Sequence, residues 1–261
     1  MIVIKFGGHA MKDDNGLFAK AIQRAISEGE RVVVVHGGGP QIDAALKEAG
    51  ITPHFNGGFR VTTPEVFELV NRVLAGEIGP SLAHSLSHDG VPTESMSGYR
   101  DRILTATKLE KLVNGESVDL GYVGRVTKVD IAPLKESLDS GKVVVISPVA
   151  QSEDGSHGLN VNADLAAAAI AGALGASQLI VMTDVAGIYE NWPDRSSLIT
   201  VISAAELEAK KANFAEGMAP KVQACLDAIH AGAGAVRIID GTDPSSFEKA
   251  LHGKGGTLVT A

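Results

Sequence analysis

The chain has 261 residues, of which 44% are hydrophobic and 4% aromatic, and it contains 30 glycines. This length allows one large domain or two modest lobes around a substantial core, and the composition is typical of an α/β enzyme. The formal net charge is -8 and no basic block is present, which argues against a nucleic-acid backbone as a partner but leaves small anionic ligands open.

Three features indicate the compartment. Cys225 is the single cysteine, so no internal disulfide can form, and its apolar neighbours on one helical face predict a buried, unreactive thiol. The N-terminal residues lack the apolar segment of a signal peptide. The uncharged stretch 165–183 is broken near Gly175 into a helix and a strand, each too short to span a bilayer. We therefore expect a cytoplasmic protein without a membrane partner.

The first elements in chain order form a βαβ unit. We predict a strand at 2–6, a helix at 15–28 and a strand at 31–36. Both strands end in glycines, Gly7-Gly8 and Gly37-Gly38-Gly39, which would let backbone N–H groups approach an anion closely. A tight turn that needs positive φ is the alternative for the triple glycine. Because Lys5 lies beside the first glycine pair, the repeated design favours a site for a phosphorylated ligand.

The rest of the chain alternates between helix and strand, apart from one antiparallel hairpin within 100–130. Helices are predicted at 41–49, 64–88 with a kink near Gly76 and Gly79, 131–140, 162–174, 204–212, 222–231 and 245–251. Further strands are predicted at 91–96, 103–107, 118–127, 142–146, 178–182, 235–239 and 257–259, with a loop or hairpin at 54–63 and loops or turns at 152–158 and 186–200. This pattern predicts an α/β fold with a mostly parallel sheet between helices.

The common nucleotide and metal motifs are absent. No G-x-x-x-x-G-K-[ST] sequence occurs, which excludes a P-loop protein. The triple glycine lacks the last glycine of the dinucleotide fingerprint, which argues against nicotinamide binding. His84 and His88 share a helical face, but no third ligand accompanies them, so we predict a solvated face rather than a metal site.

Charged and polar residues at strand ends and glycine-rich turns are the better candidates for a site. They are Lys5, Arg60, Asn160, Asn162, Asp164, Asp184 and Lys221. Taken singly, each could be a solvated residue or a helix cap, and Asn162 in particular could be an N-cap. Ligands bind at the carboxyl ends of the strands of a parallel sheet, so jointly these residues favour a ligand site there.

Six motifs together resemble the amino acid kinase family. They are Lys5-Phe-Gly-Gly, His36-Gly-Gly-Gly, Asn56-Gly-Gly-Phe-Arg60-Val-Thr, Asn160-Val-Asn-Ala-Asp164, Thr183-Asp-Val-Ala-Gly-Ile188 and Gly217-Met-Ala-Pro-Lys221. They cover nearly the whole chain in the family's order. The branch that they resemble most phosphorylates N-acetyl-L-glutamate in arginine biosynthesis. The resemblance implies a three-layer α/β/α sandwich with a carbamate kinase-like fold. It also implies a single domain at 1–261, with an acceptor-binding and dimerising lobe at about 1–147 and an ATP-binding lobe at about 148–261.

The resemblance also implies roles for single residues. Lys5 and Lys221 match the lysines that stabilise the transferring phosphoryl group, and Asp164 matches the carboxylate that positions them. The residues that match the acceptor site are Gly38, Gly39, Arg60, Asn160 and Asn162. Those that match the nucleotide site are Gly7, Gly8, Thr183, Asp184, Gly187, Ile188, Asn213, Phe214, Gly217 and Met218. The phosphoryl donor would be ATP, which would carry Mg²⁺ without a separate metal site in the protein.

The chemistry of these residue types agrees with that activity. Two lysines and backbone N–H donors suit the negative charge that a phosphoryl transition state spreads over its oxygens. An attacking carboxylate is already ionised at pH 7, so no catalytic base is needed. Arg60 would offer a second carboxylate of the acceptor a bidentate fork.

Two alternatives remain open from the residues. A modified 2-aminoadipate of lysine biosynthesis is one methylene longer, a small difference for a pocket to register. A nucleotide-binding protein without catalysis could keep the same fold. His9 and the second glycine in the loop before Arg60 depart from the family's usual pattern, which bears on acceptor specificity. No additional helix precedes the first strand, and 240–248 matches poorly the effector loop of arginine-inhibited members. These two features predict a homodimer with weak or no inhibition by arginine.

Overall fold

A computed structural model describes residues 1–7, 16–112, 114–211, 214 and 218–261. The strands are β1 (Ile2–Phe6), β2 (Val32–His36), β3 (Phe55–Asn56), β4 (Phe59–Arg60), β5 (Thr93–Ser97), β6 (Leu104–Lys108), β7 (Val123–Val129), β8 (Val143–Ser147), β9 (Val149–Ser152), β10 (Gly158–Val161), β11 (Gln178–Thr183), β12 (Ile188–Tyr189), β13 (Leu198–Ile199), β14 (Val201–Ser203), β15 (Ala235–Asp240) and β16 (Thr257–Thr260). The α-helices are α1 (Leu17–Ser27), α2 (Gly39–Glu48), α3 (Pro64–Asn71), α4 (Gly79–His88), α5 (Ala132–Asp139), α6 (Ala163–Leu174), α7 (Ala204–Lys210), α8 (Ala219–His230) and α9 (Pro244–Leu251).

An eight-stranded sheet organises the molecule in the order β14-β16-β15-β11-β1-β2-β8-β5. Every neighbouring pair is parallel except β15 and β16, which confirms the predicted mostly parallel sheet. β1 lies between β2 and β11, so strands from both halves of the chain share one sheet. The valine runs of β2 and β8 are fully buried because helices cover both faces of the sheet.

Two apolar layers enclose this sheet. Alternate residues of β1 point to opposite faces, so Val3 packs with α6 and α8 while Ile4 packs with α1 and α4. The structure is therefore three layers deep, as expected. Cys225 of α8 is fully buried in the first layer, and burial raises the pKa of its thiol well above the usual range. Across the described residues, no helix combines the length and the apolar character that crossing a bilayer requires.

A closed four-stranded barrel stands beside the sheet, built from β10, β7, β6 and β9 in that order. The predicted antiparallel hairpin is confirmed as β6 and β7, but β7 begins at Val123 rather than at Val118. The sequence did not predict β9 and β10, which flank the polar turn at 152–158. These four-residue strands are too short for a periodic pattern, and their pairing with β6 and β7 joins segments far apart in sequence.

The helix predicted at 64–88 is divided into three contiguous segments. A π-helical segment, Arg72–Ile78, separates α3 from α4 in the region where the kink was expected. The amide of Gly79 donates to the carbonyl of Leu74, the five-residue spacing of a π-helix. Pro80 lacks an amide hydrogen, so the chain widens just before the proline.

Most other elements lie where the periodicity placed them. Two helices begin earlier than predicted, α2 at Gly39 and α8 at Ala219, because a proline occupies the first turn of each. The predicted loop at 186–200 contains the short antiparallel pair of β12 and β13 and a 3₁₀ turn, Arg195–Ser197.

Candidate active site

A cavity of about 300 Å³ opens at the carboxyl ends of β1 and β2. Parallel strands end at the same edge of a sheet, so Lys5 of β1 and the glycines after β2 meet there. The walls also include Arg60, Asn160, Asn162 and Asp164, which come from β4, β10 and the start of α6. Seven of the residues predicted from the sequence thus line a single cavity, namely Lys5, Gly38, Gly39, Arg60, Asn160, Asn162 and Asp164.

Lys5, Asp164 and Lys221 form a charged trio at this cavity. The Lys5 Nζ atom lies 3.0 Å from Asp164 Oδ1 and donates a hydrogen bond of 3.4 Å to the Met182 carbonyl. The Lys221 Nζ atom lies 3.9 Å from Asp164 Oδ2. One carboxylate therefore holds two ammonium groups that are 216 positions apart in the sequence. The expected catalytic group is brought together by the fold.

Asp164 is buried, yet it remains a carboxylate. Burial alone raises the pKa of an acid, but the charges of Lys5 and Lys221 and the hydrogen bond from Lys5 outweigh it, so the pKa of Asp164 is lowered overall. Both lysines thus keep an ionised partner at neutral pH. Their positive charge is held at the cavity rather than dispersed in solvent.

The turn after β2 is held by backbone contacts and by packing. The Gly37 amide donates to the Phe6 carbonyl at 2.8 Å, and the Gly38 carbonyl accepts from the Ile42 amide at 2.9 Å. None of Gly37, Gly38 and Gly39 has a left-handed φ, so the alternative of a positive-φ turn is wrong. A Cβ on Gly38 would lie 2.6 Å from side-chain atoms of Leu74 and Ile78. Close packing against the π-helical segment is thus one reason for glycine at 38.

Arg60 is oriented by two contacts that sequence patterns did not predict. Its Nη1 atom lies 2.7 Å from Asp43 Oδ1, and its guanidinium lies 4.6 Å from the centre of the Phe55 ring. Arg60 is 8% exposed and lines the cavity. Asp43 follows the glycine turn on α2, and no motif distinguishes it from a solvated helix residue.

Asn160 and Asn162 are both fixed by hydrogen bonds. Asn160 Nδ2 donates to Thr62 Oγ1 at 3.1 Å. Asn162 Oδ1 accepts from the amides of Asp164 at 2.9 Å and Leu165 at 3.3 Å, so Asn162 is the N-cap of α6. The cap alternative is confirmed for Asn162, which also lines the cavity and fixes the start of the helix that carries Asp164.

The residues matched to a nucleotide site lie mostly around the carboxyl end of β11. Thr183 ends β11 and donates to Asp184 Oδ1 at 3.0 Å. Gly187 approaches Thr257 so closely that a Cβ would lie 2.4 Å from Oγ1, and the Ile188 amide donates to the same oxygen at 2.8 Å. The Ile188 side chain is fully buried in the core, so only its backbone could face a ligand.

Other residues of that group frame the same region or fall outside the described ranges. Phe214 and Met218 pack against the core layer of α6 and α8. A Cβ on Gly7 would lie 2.7 Å from the Met182 carbonyl oxygen, so only glycine fits at position 7 without backbone movement. Gly8, His9, Asn213 and Gly217 lie outside the described residues.

His36 is a polar residue that the sequence placed in a motif without assigning it a role. It ends β2 and is fully buried, with Nδ1 2.8 Å from the Gly37 carbonyl oxygen and Nε2 2.9 Å from Ser147 Oγ. Burial lowers the pKa of His36 to about 4, so the imidazole is neutral at pH 7. Its only signal in the sequence is a polar residue at the end of an otherwise apolar strand.

This arrangement suits a ligand with several anionic groups. Lys5 and the glycine turn present positive charge and backbone donors at one side of the cavity, and Arg60 presents a guanidinium at another part of its wall. Lys221 does not line the cavity itself and is joined to it through Asp164. Such a set can neutralise a phosphoryl group and bind a carboxylate at once.

Comparison with known proteins gives a consistent result. The sequence model of the Amino acid kinase family matches residues 1–240. An acetylglutamate kinase from Corynebacterium urealyticum is 43% identical over 265 residues, which cover 100% of this chain and 87% of that relative. Other relatives with 41–46% identity carry the same name.

Solved structures share the architecture. The protein smu.665 from Streptococcus mutans has a TM-score of 0.83 at 30% identity, with 100% of this chain and 98% of that chain covered. Carbamate kinase from Giardia lamblia bound to AMP-PNP has a TM-score of 0.70 at 20% identity, with 99% and 97% covered. The second likeness concerns the fold alone, and it confirms the carbamate kinase-like sandwich expected from the motifs.

Proposed function

The chain belongs to the amino acid kinase family, and we propose that it transfers the γ-phosphoryl group of ATP to the side-chain carboxylate of N-acetyl-L-glutamate. The product is the acyl phosphate N-acetyl-glutamyl 5-phosphate, formed in the second step of arginine biosynthesis. The observation that carries the proposal is the Lys5–Asp164–Lys221 trio, which lies at a cavity that also contains Arg60. The names of the relatives supply the acceptor.

The transfer balances without a catalytic base. A carboxylate oxygen of the acceptor attacks the γ-phosphorus, the bond from that phosphorus to the bridging oxygen breaks, and ADP leaves with the electron pair. The acceptor is already ionised at pH 7, so no proton has to be removed. Lys5 and Lys221 neutralise the negative charge on the oxygens of the phosphoryl group, and Asp164 keeps both ammonium groups in place.

The acceptor and the nucleotide bind mainly to different lobes, one on each side of the phosphoryl group that is transferred. The acceptor binds in an N-terminal lobe, about 1–147, to Gly38, Gly39 and Arg60, and it also contacts Asn160 and Asn162 of the second half of the chain. The nucleotide binds in a C-terminal lobe, about 148–261, to Thr183, Asp184, Gly187, Ile188, Asn213, Phe214, Gly217 and Met218, and it also contacts Gly7 and Gly8 of the N-terminal half. Arg60 supports this division because it lines the cavity from β4 of the N-terminal half.

Mg²⁺ enters the proposal with ATP. Over the part of the chain that the structure describes, no group of three or more His, Cys, Asp or Glu residues could hold a metal ion. Bound to phosphate oxygens, Mg²⁺ supplies charge neutralisation for the transfer. We further propose a cytoplasmic homodimer, on the grounds of the family resemblance.

The first experiment measures ADP release with hydroxylamine present to trap an acyl phosphate. N-acetyl-L-glutamate, N-acetyl-2-aminoadipate, glutamate and aspartate are assayed in parallel. Hydroxamate with N-acetyl-L-glutamate is expected. A signal only with the longer acceptor would move the protein to lysine biosynthesis, and no signal with any acceptor would overturn the proposal.

A matched pair of variants tests whether the trio does the chemistry. Lys221→Ala should lower kcat by about a hundredfold or more while ATP still binds, because it removes a charge needed mainly in the transition state. Lys210→Ala is the control, since Lys210 pairs with Glu190 away from the cavity. Equal kcat for the Lys221 variant and the wild type would leave a nucleotide-binding protein without this chemistry.

A further inference from the structure

His36 contacts the glycine turn from the buried side. Its Nδ1 atom lies 2.8 Å from the carbonyl oxygen of Gly37, and its Nε2 atom lies 2.9 Å from Ser147 Oγ. Ser147 Oγ also lies 3.0 Å from the Leu74 carbonyl in the π-helical segment. The imidazole is fully buried, whereas Gly37 and Gly38 line the cavity. His36 therefore reaches the cavity only through the backbone of the turn.

The contact with the Gly37 carbonyl assigns the tautomer of His36. A carbonyl oxygen only accepts hydrogen bonds, so Nδ1 must carry the proton that is donated to Gly37. A neutral imidazole has one such proton, so Nε2 is then an acceptor, and the single hydrogen of the Ser147 hydroxyl is shared between Nε2 at 2.9 Å and the Leu74 carbonyl oxygen at 3.0 Å. His36 is thereby a fixed donor to one peptide group.

Because the peptide between Gly37 and Gly38 is trans, the contact that orients the Gly37 carbonyl also orients the Gly38 N–H on the other side of the turn. The Gly37 carbonyl and the Gly38 amide belong to one peptide group, and in a trans peptide they point in opposite directions. A carbonyl drawn towards buried His36 therefore turns the Gly38 N–H away from it. Within residues 1–7, 16–112, 114–211, 214 and 218–261, the Gly38 N–H donates no hydrogen bond.

Glycine makes such control necessary. Without a Cβ, the peptide between Gly37 and Gly38 can rotate with little steric resistance. The side chains of Leu74 and Ile78 pack closely against Gly38, because a Cβ on Gly38 would lie 2.6 Å from each of them. The packing limits where the turn lies, but the orientation of the peptide plane depends on the hydrogen bond from His36.

We propose that His36 is a positioning residue that holds the Gly37 carbonyl inward and so aims the Gly38 N–H at the phosphoryl group in transfer. The inference rests on the proposed phosphoryl transfer and adds to it a residue that touches neither substrate. His36 acts on kcat rather than on substrate affinity, because the donor that it aims meets charge that develops in the transition state.

The test exploits two amides that imitate different nitrogens of imidazole. In His36→Asn, the amide nitrogen can occupy the place of Nδ1 and still donate to Gly37. In His36→Gln, it falls at the place of Nε2 and the bond to Gly37 is lost. Both variants remove most of the ring, so their losses of stability should be comparable and melting temperatures provide the check. Ser147→Ala removes the partner of Nε2 but leaves the Gly37 bond intact.

We expect His36→Gln to lower kcat by about ten- to a hundredfold, with both KM values changed less than about threefold. His36→Asn should retain kcat within about threefold of the wild type, and Ser147→Ala likewise. If the Asn and Gln variants lose kcat equally at equal melting temperature, or if only the KM values change, the positioning role is wrong.

A second readout does not depend on turnover. With carbonyl-¹³C and ¹⁵N labels on glycine, carbonyl-edited amide spectra contain only peptides that join two glycines, including Gly37-Gly38. The Gly38 amide signal should stay near its wild-type position in His36→Asn and move in His36→Gln. An unmoved signal in His36→Gln would overturn the inference, whether or not the wild type phosphorylates N-acetyl-L-glutamate.

Discussion

Single residues differ in how much of their role the sequence reveals. Lys5, Asp164 and Lys221 were predicted as one group, and the structure brings their charged atoms within ion-pair distance. Asp43 was not predicted, although it lies 2.7 Å from Arg60. A charged residue in a motif can be identified by its type, whereas this pair depends on how α2 lies against β4.

Replacing Arg60 by lysine tests the acceptor site. Arginine can hold Asp43 with one nitrogen and keep others for a carboxylate of the acceptor, but lysine has a single nitrogen and cannot do both. We expect KM for N-acetyl-L-glutamate to rise about tenfold or more, while KM for ATP changes little. Steady-state kinetics with each substrate varied in turn measures both values.

The control for this substitution is Arg72→Lys, because Arg72 is exposed and pairs with Glu77. It should leave both KM values unchanged. An acceptor KM that stays at the wild-type value in Arg60→Lys would remove Arg60 from the acceptor site.

Whole elements follow from the sequence when they carry their own periodic pattern. The valine-rich strands β2 and β8 and the alanine-rich helix α6 lie where the pattern placed them. The π-helical segment was not predicted, because its wider turn depends on tertiary contacts such as that of the Ser147 hydroxyl with the Leu74 carbonyl.

Gly79, the first residue of α4, should be intolerant of substitution. A Cβ there would lie 2.9 Å from Ser147 Oγ, 3.0 Å from Ser95 Oγ and 3.2 Å from His36 Nε2. Gly79→Ala should therefore lower the free energy of unfolding by about 1–3 kcal/mol through overpacking. It should also lower kcat, since it displaces His36. Urea unfolding and kinetics on the same preparation measure the two effects.

Gly76→Ala is the matched control within the neighbouring π-helical segment. Among the described residues, and apart from its chain neighbours and the backbone of its own helix, no heavy atom lies within 4 Å of the position that its Cβ would take. This substitution should be neutral, or stabilise by about 0.5–1 kcal/mol because alanine restricts the unfolded chain more than glycine does. If the two variants behaved alike, close packing around Gly79 would not be the cause.

The whole molecule should lose stability in mild acid because of one buried imidazole. The pKa of His36 is about 4 in the folded chain and 6.5 when unperturbed, so the unfolded state binds the proton first as the pH falls. The contribution is fully present above pH 6.5 and is lost progressively down to pH 4, by up to about 3 kcal/mol. Asp164 acts in a lower window: its pKa is depressed, so its contribution is present above about pH 4 and is lost below that.

Urea unfolding at several pH values between 7 and 4 measures this dependence. In His36→Asn the loss of stability over that interval should be smaller than in the wild type. His88→Gln is the control, because it also removes an imidazole but does so at an exposed position on α4. Parallel curves for the wild type and His36→Asn would show that His36 does not cause the effect.

The sequence by itself determined the α/β class, the mostly parallel sheet, the principal helices and strands, and several of the charged and polar residues that line the cavity. These features follow from periodicity and from motifs, and both signals are local, so each can be recognised within a short segment of the sequence. Only the tertiary structure decided the barrel strands β9 and β10, the pair of Asp43 with Arg60, and the contact of His36 with Ser147. Each of these depends on which distant segments meet, and that is settled by how the layers pack rather than by any local pattern.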